Sequence, residues 1–458
     1  MKIEISNHLV LTEIPDRIRQ RLMTKLTFPN PAYADAVKMN RWTGNLDREL
    51  CIYQAKEHGG LIIPRGCFDS VKLAVRQAGE SVQVEDHRRT LPEVDFTFAG
   101  TLKPFQDIAV QDMLRHDEGV LGAPTGSGKT VMALAIVAEH RQPTLIIVHN
   151  KELLNQWIDR IETFLDIPRA EIGQIGAGKK IIGKRITVGI VNSIYPHASL
   201  IKHLIGHLII DECHQAPSRT FTEAVTAFDC RYILGLSATP YRRDGLSKLI
   251  YWHLGDRRHQ VDRNALQEAW DIVPAEVFIR YTKFITRRDP SAEYSKMLSE
   301  LTEDCSRNSL IAADVVRAAS NGGGACLVLT DRREHAETLW AFVMRQGIKA
   351  DVLTGELSAR DREEIIGRLN AGSVPVVIAT GQLVGEGFDC KCLTTLFMAT
   401  PLSYHGRVIQ YLGRVLRPAP GKEKARVYDY ADENIGVLRA SAIKRRAIYI
   451  QNQWKIMS

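Results

Sequence analysis

Several things are missing from this chain of 458 residues. No apolar run approaches the roughly 18 residues of a membrane helix, so no membrane partner is expected. The eight cysteines (Cys51, Cys67, Cys213, Cys230, Cys305, Cys326, Cys390 and Cys392) form no CxxC pair. Neither a zinc site nor a disulfide framework is therefore expected. The opening Met-Lys-Ile-Glu-Ile-Ser-Asn-His lacks a secretory h-region, and a reducing cytoplasm is the default location. Low-complexity tracts and short repeats are absent as well. Excess charge is scarce over most of the length. The chain has 60 Lys and Arg against 53 Asp and Glu, a net +7. Residues 401–458 hold eleven of those cations against four acids, so the whole surplus lies there. A basic end of this kind suits a nucleic-acid surface or a solvated helix face, and charge alone does not choose.

What is present is organised. The length predicts two or three domains, and 45% hydrophobic with 25% charged residues is a globular composition. Residues 1–90 mix strand-like runs (Leu9-Val10-Leu11, Leu61-Ile62-Ile63) with a helical stretch at 69–78. They read as a small N-terminal α+β module. A polar, Pro-containing connection follows at 86–104. Short apolar runs then alternate with helical patterns at 144–148, 186–191, 208–210 and 232–236. The rhythm returns at 325–329, 350–353, 374–379, 395–398 and 425–428. Such alternation predicts parallel sheets covered on both faces, hence two α/β domains, 100–255 and 265–435, with a basic tail at 436–458.

The chemistry begins at Gly122-Ala-Pro-Thr-Gly-Ser-Gly-Lys-Thr130. Val120-Leu121 precedes it and the helical run 131–138 follows, the strand–loop–helix setting of a phosphate cradle. After Pro124, the backbone N–H groups of Thr125-Gly126-Ser127-Gly128 can wrap phosphates where glycine removes Cβ clashes, and the helix adds its positive end; all five residues are candidate nucleotide contacts. Lys129 can reach the β- and γ-phosphates and Thr130 can hold Mg²⁺. ATP and Mg²⁺ are the expected cofactors. A second acidic element, Asp211-Glu212, ends the apolar run Leu208-Ile209-Ile210. Adjacent acids are usually surface residues. At a strand tip, however, Asp211 can hold the metal and Glu212 can orient or deprotonate the attacking water. Gly173-Gln-Ile-Gly-Ala-Gly178-Lys179 also fits the Gly-rich pattern. It lacks the following Ser/Thr and leads into a β-like run, so it reads as a hairpin turn.

The ordered set of phosphate loop, Asp211-Glu212-Cys213-His214, Ser237-Ala238-Thr239-Pro240 and Gln410-Tyr-Leu-Gly-Arg414-Val-Leu-Arg417 resembles the superfamily 2 helicases. The likeness spans roughly residues 100–430. It implies two tandem RecA-like parallel-sheet domains, with ATP in the cleft between them and nucleic acid across both. By the same resemblance Lys103 and Gln106 meet adenine, and Ser237 and Thr239 couple nucleotide state to domain closure. Gln410, Arg414 and Arg417 complete the catalytic set with Lys129, Asp211 and Glu212, the two arginines as fingers on the transferring phosphoryl group. Gly387 and Asp389 face ATP. Asn150, Lys151, Asn192, Ser193, Arg242, Arg332 and Thr380 become nucleic-acid contacts, with Gln156-Trp157 in the first such segment. These residue types suit phosphate contacts, which position a strand without reading its sequence.

Tyr241-Arg242-Arg243-Asp244-Gly245 after Ser-Ala-Thr-Pro is similar to the XPB-type and UvsW-like group. The expectation is an ATP-dependent DNA helicase or translocase, monomeric by default. It would act on forked, recombination or R-loop DNA in a bacterium or a phage-infected cell. An RNA helicase, or a duplex translocase of the restriction-subunit kind, is the alternative. In the N-terminal module, Arg41-Trp42 and Arg65 are either duplex contacts or plain structural residues. Lys444-Arg445-Arg446, with Tyr449 and Trp454, is either a duplex grip or a partner helix.

Overall fold

The computed structural model describes residues 1–39, 41–124, 126–215, 219–238, 247–262, 273–290, 293–320, 324–381, 390, 392–401, 415–416, 419, 422–451 and 454–457. The chain divides into two units. One comprises Met1–Ala123 with Gly128–Val261, the other Pro124–Ser127 with Asp262–Ser458.

The first unit opens with a five-stranded sheet: β1 (Lys2–Ile5), β2 (His8–Thr12), β3 (Gln54–Ala55), β4 (Leu61–Pro64) and β5 (Gln83–Asp86), in the order β3-β4-β2-β1-β5. Alternation along the strands sends Ile3, Ile5, Leu9, Leu11, Leu61 and Ile63 to a buried face. Helices α1 (Asp16–Lys25) and α2 (Phe68–Ala78) add Ile18, Leu22, Val71 and Val75 to the same core.

An eight-stranded sheet follows: β6 (Glu118–Gly122), β7 (Thr144–Val148), β8 (Gly173–Gly176), β9 (Lys179–Ile181), β10 (Ile186–Ile190), β11 (His207–Ile210), β12 (Tyr232–Ser237) and β13 (Arg257–Gln260). Its order is β9-β8-β10-β7-β11-β12-β6-β13, parallel except for the β8–β9 hairpin. The central strands are buried throughout, as a sheet covered on both faces requires. Among its helices are α3 (Pro104–Leu114), α4 (Lys129–His140), α5 (Lys151–Leu165) and α6 (Ser247–Leu254). The second Gly-rich segment is the β8–β9 hairpin itself. Ala177 and Gly178 turn with φ of 51° and 85°, the backbone of a two-residue hairpin loop.

The N-terminal module is joined to this sheet by buried polar contacts. Arg65 Nε donates to Glu118 Oε2 at 2.7 Å, and its other nitrogens to the carbonyls of Cys230 and Arg231 at 2.6 and 2.8 Å. Arg65 is 2% exposed, which settles it as structural. Arg88 pairs with Asp117 and Arg89 with Asp229. Trp252 of α6 sits in the module's own core. Gly66 comes so close to α6 that a Cβ there would lie 2.4 Å from Tyr251 O and Gly255 N. Trp42, by contrast, is 76% exposed.

At the end of the sheet where the parallel strands begin, His140 closes α4 while His207 and Tyr232 open β11 and β12. His140 stacks on Tyr232 at 3.9 Å and meets His207 edge-on at 4.8 Å. Among the described residues neither ring nitrogen of His207 has a hydrogen-bond partner, nor does His140 Nδ1. Burial drives both imidazoles toward the neutral form, with Asp117 and Arg231 as the charges facing His140; His140 falls to about 4 and His207 well below its usual value. The unfolded chain therefore binds protons that the folded chain refuses. Their contribution to stability is complete above about pH 6.5 and is lost as pH falls toward 4. For His140 alone the loss at pH 5 is on the order of 2 kcal/mol. Urea midpoints measured at pH 7.5, 6 and 5 should drop steeply over the last step; a flat profile would refute this.

The second unit holds a seven-stranded, fully parallel sheet: β14 (Ala275–Tyr281), β15 (Ala325–Thr330), β16 (Ala350–Leu353), β17 (Val376–Thr380), β18 (Leu393–Met398), β19 (Ala425–Ala431) and β20 (Lys455–Met457). The order is β16-β17-β15-β18-β19-β14-β20. Helices α7 (Cys305–Ser320), α8 (Arg333–Arg345), α9 (Ala359–Asn370) and α10 (Gly436–Gln451) accompany it. Residues 436–451 and 454–457 are integrated here: α10 lies against β19, and β20 extends the sheet. Arg445 and Tyr449 both bond the buried Asp429, and Trp454 is 5% exposed. These three serve as core; Lys444 and Arg446 remain exposed.

Candidate nucleotide site and nucleic-acid face

Strand β6 ends at Gly122, and the chain turns through Gly126 (φ 91°) and Gly128 (φ 81°) before α4 begins at Lys129. Both glycines occupy the left-handed region, where a side chain would be strained. Gly128 has a second reason to lack one. A Cβ there would stand 2.4 Å from Gln106 Nε2. Gln106 is buried, and its Oε1 accepts from Lys103 N at the start of α3. Its amide thus reaches the phosphate loop while its oxygen caps a helix. Ser127 is buried with Oγ donating to Pro124 O. Thr130 is the second residue of α4.

Lys129 Nζ lies 3.4 Å from Glu212 Oε1 and 3.4 Å from Ala123 O. The Asp-Glu pair follows β11, the neighbour of β7 and β12. Glu212 adopts φ 47°, a strained conformation for a residue with a side chain and one concentrated at working sites. Asp211 is buried; Oδ1 accepts from Glu212 N and Oδ2 from Trp157 Nε1 at 2.8 Å. Burial and the adjacent Glu212 push the Asp211 carboxyl up, to about 6. Burial pushes Glu212 the same way, but Lys129 and His214 outweigh it and hold Glu212 well below the usual range. The two carboxylates are thus set apart, one ionised on its lysine and the other short of positive charge. A cation would redress that shortage. Among the described residues Glu212 Oε2 is buried with no hydrogen bond of good geometry, His214 Nδ1 being 3.3 Å away. These groups fit a nucleotide with a divalent cation. A phosphate chain can replace the carboxylate on Lys129, Asp211 and Thr130 offer hard oxygen ligands, and Glu212 has an oxygen left for water.

His214 Nδ1 also meets Ser237 Oγ at 3.0 Å, and Ser237 O accepts from Ala123 N. Ser237 therefore joins the acidic box to the end of the phosphate-loop strand. Sequence reasoning gave His214 no role. Its place three residues after Asp211, in the same box, was the signal.

One segment of the expected nucleic-acid face needs correction. Trp157 is 1% exposed and bonds Asp211, so it cannot stack on a base. The helical spacing Leu154, Trp157, Ile158, Ile161 and Leu165 marks the buried stripe of α5, and Gln156 lies off it, exposed. Asn150 caps α5 by accepting from Leu153 N, and Lys151 is exposed beside it. Asn192 is exposed and Ser193 half-buried in a single turn after β10. In the second unit, β15 and β17 end side by side at Thr330 and Thr380. Arg332 starts α8 with its guanidinium on Ser295. Thr330 bonds His335, which meets Asn308 on α7, and this buried chain fixes the turn that carries Arg332. Thr125, Thr239, Arg242, Gly387, Asp389, Gln410, Arg414 and Arg417 lie outside the described residues.

Two RecA-like parallel sheets, the first with a phosphate loop and an acidic box at the same strand ends, define a superfamily 2 helicase core. Residues 99–242 match the family model described as "Type III restriction enzyme, res subunit", and residues 308–419 match "Helicase conserved C-terminal domain". Relatives agree. The chain is 26% identical over 380 residues to "Probable helicase D10" of Escherichia phage T5, covering 81% of this chain and 80% of that one. It is 26% identical over 384 residues to "Putative ATP-dependent RNA helicase L396" of Acanthamoeba polyphaga mimivirus (79% and 70% covered). It is also 26% identical over 352 residues to "DNA 3'-5' translocase XPB2" of Sulfurisphaera tokodaii (69% and 78% covered). The Pyrococcus furiosus Hef helicase domain shares the fold, with a TM-score of 0.53 at 14% identity over 75% of this chain and 98% of that one. The chain carries the two domains of an ATP-dependent superfamily 2 helicase, and its likeness to XPB-type and phage helicases holds. Among the described residues no helix is long and apolar enough to cross a membrane.

Proposed function

We propose that this protein is an ATP-dependent DNA helicase or translocase that unwinds or branch-migrates forked, recombination or R-loop DNA. The observation that supports it most is the division of labour around Lys129: one carboxylate ionised against it, the other held back, both at the tip of one strand. In this reading Gly126, Ser127 and Gly128 present backbone N–H groups to the phosphates. Lys129 moves from Glu212 to the γ-phosphate, and Gln106 reads the adenine. Glu212, released, takes the proton of the attacking water through Oε2, the oxygen beside His214. Mg²⁺, bound by Thr130 and Asp211, would neutralise phosphate charge. Ser237 and His214 pass the state of the acidic box to the strand end beside it. Asn150, Lys151, Asn192 and Ser193, with Arg332 and Thr380, hold the backbone of one strand. Gln410 contacts the attacking water and the γ-phosphate, and Arg414 and Arg417 neutralise the remaining charge on the transferring phosphoryl group.

The DNA assignment draws on the XPB-type relatives. A relative of equal identity carries an RNA helicase name, so RNA is the second reading. Steady-state ATPase with single strand, duplex, fork, four-way junction and matched RNA ligands separates them. Fork and junction DNA should stimulate most. Stimulation by RNA alone would overturn the DNA reading, and stimulation by linear duplex without strand separation would leave a translocase.

A further inference from the structure

The bond between Trp157 and Asp211 has no part in the scheme above. It joins residues 54 apart in sequence, both buried. A buried indole N–H needs an acceptor, but ordinary carbonyls would serve. Here the acceptor is the carboxylate proposed to hold the metal. Among the described residues two hydrogen bonds orient Asp211, one from the next residue's backbone and the other from α5. Helix α5 begins with Asn150 and the exposed Lys151, the proposed strand contact. Trp157 lies six residues further on, about 9 Å along the axis. Leu154, Ile158 and Ile161 lock the same face of the helix into the core, so any shift of its first turn carries the indole with it.

We propose that Trp157 is a positioning residue: it ties the nucleic-acid end of α5 to the orientation of Asp211, so that strand binding tunes the metal site. The inference rests on the nucleotide-site reading. Groups that orient a metal ligand commonly control metal affinity about tenfold or more when removed. Trp157→Phe keeps an aromatic ring in the core and deletes the donor. Leu154→Ala loosens the same face and leaves the bond.

The test uses the full chain. Binding of a fluorescent ADP analogue is followed against Mg²⁺ concentration, and ATPase is followed with and without forked DNA and matched RNA. For Trp157→Phe, the Mg²⁺ midpoint should rise about tenfold and the stimulation by nucleic acid should shrink several-fold. Affinity for nucleic acid without nucleotide should stay within about twofold. Leu154→Ala should lower the melting temperature and leave the Mg²⁺ midpoint in place. A midpoint unchanged in Trp157→Phe, or moved as far by Leu154→Ala, overturns the proposal. If the wild type binds no nucleotide, the site reading itself falls. Should Trp157→Phe not fold, the wild type carries its own test. Of its six tryptophans, one indole ¹⁵N resonance should be broadened by Mn²⁺ with ADP and should also shift when nucleic acid is added alone. No resonance doing both would overturn the proposal equally.

Discussion

Lys129→Ala should lower nucleic-acid-stimulated ATPase by at least about 10²-fold, with binding of nucleic acid in the absence of nucleotide nearly intact. The first effect follows from losing the cation that the phosphate loop itself brings to the γ-phosphate. A further effect follows from Glu212. Lys129 is the chief influence holding that buried carboxyl down against burial. Without it Glu212 must either stay ionised with His214 alone beside it or take up a proton. An uncompensated buried charge is costly, so the variant should also melt below the wild type at neutral pH. The deficit should narrow on acidification, as Glu212, its carboxyl no longer held low, protonates. Intact stimulated turnover in Lys129→Ala would sink the nucleotide-site reading. Equal melting temperatures would instead show that the carboxylate finds another partner.

Arg65→Ala should be the most damaging change remote from the nucleotide. The guanidinium has no exposed face and satisfies one carboxylate and two carbonyls. Its loss strands Glu118, 11% exposed, at the start of the sheet's second-last strand. Breaking such a buried pair costs roughly 3–5 kcal/mol. In a unit of this size that is a fall of roughly 10 °C in melting temperature. Limited proteolysis should then cut the connection at 86–104, which the wild type should resist. Arg65→Met, which keeps volume but no charge, should fare no better while Glu118 remains. Pairing it with Glu118→Leu should recover part of the loss. A melting temperature within a degree or two of wild type would refute the account.

Much of the architecture was open to reading because it is local. Thr144–Val148 is buried on both faces in a central strand, as its unbroken apolar run announces. The β8–β9 hairpin was visible in what its Gly-rich segment lacks. Lys129 and Glu212, assigned to one site from their motifs, lie 3.4 Å apart. Contacts between distant segments were out of reach. Trp157 sits beside a polar motif, and no spacing reveals that its indole crosses 54 residues to Asp211. Arg65 and Arg445 look like surface cations in a string of letters, since burial depends on partners that other strands deliver. One cation of the basic stretch after residue 400 is hidden for the same reason: Arg445 is paired with Asp429 inside the fold, while Lys444 and Arg446 stay exposed.

The seat of Arg65 and Gly66 also sets an order of events during synthesis. The carbonyl that Arg65 bonds at Cys230 is made 165 residues after it, and the Tyr251–Gly255 backbone against which Gly66 rests comes later still. At about 5–20 residues per second, that is some 10–35 s on the ribosome. Through this interval the first module has emerged without Trp252, a member of its own core. Its apolar face waits for α6, and chaperone contact with the growing chain should concentrate in that window.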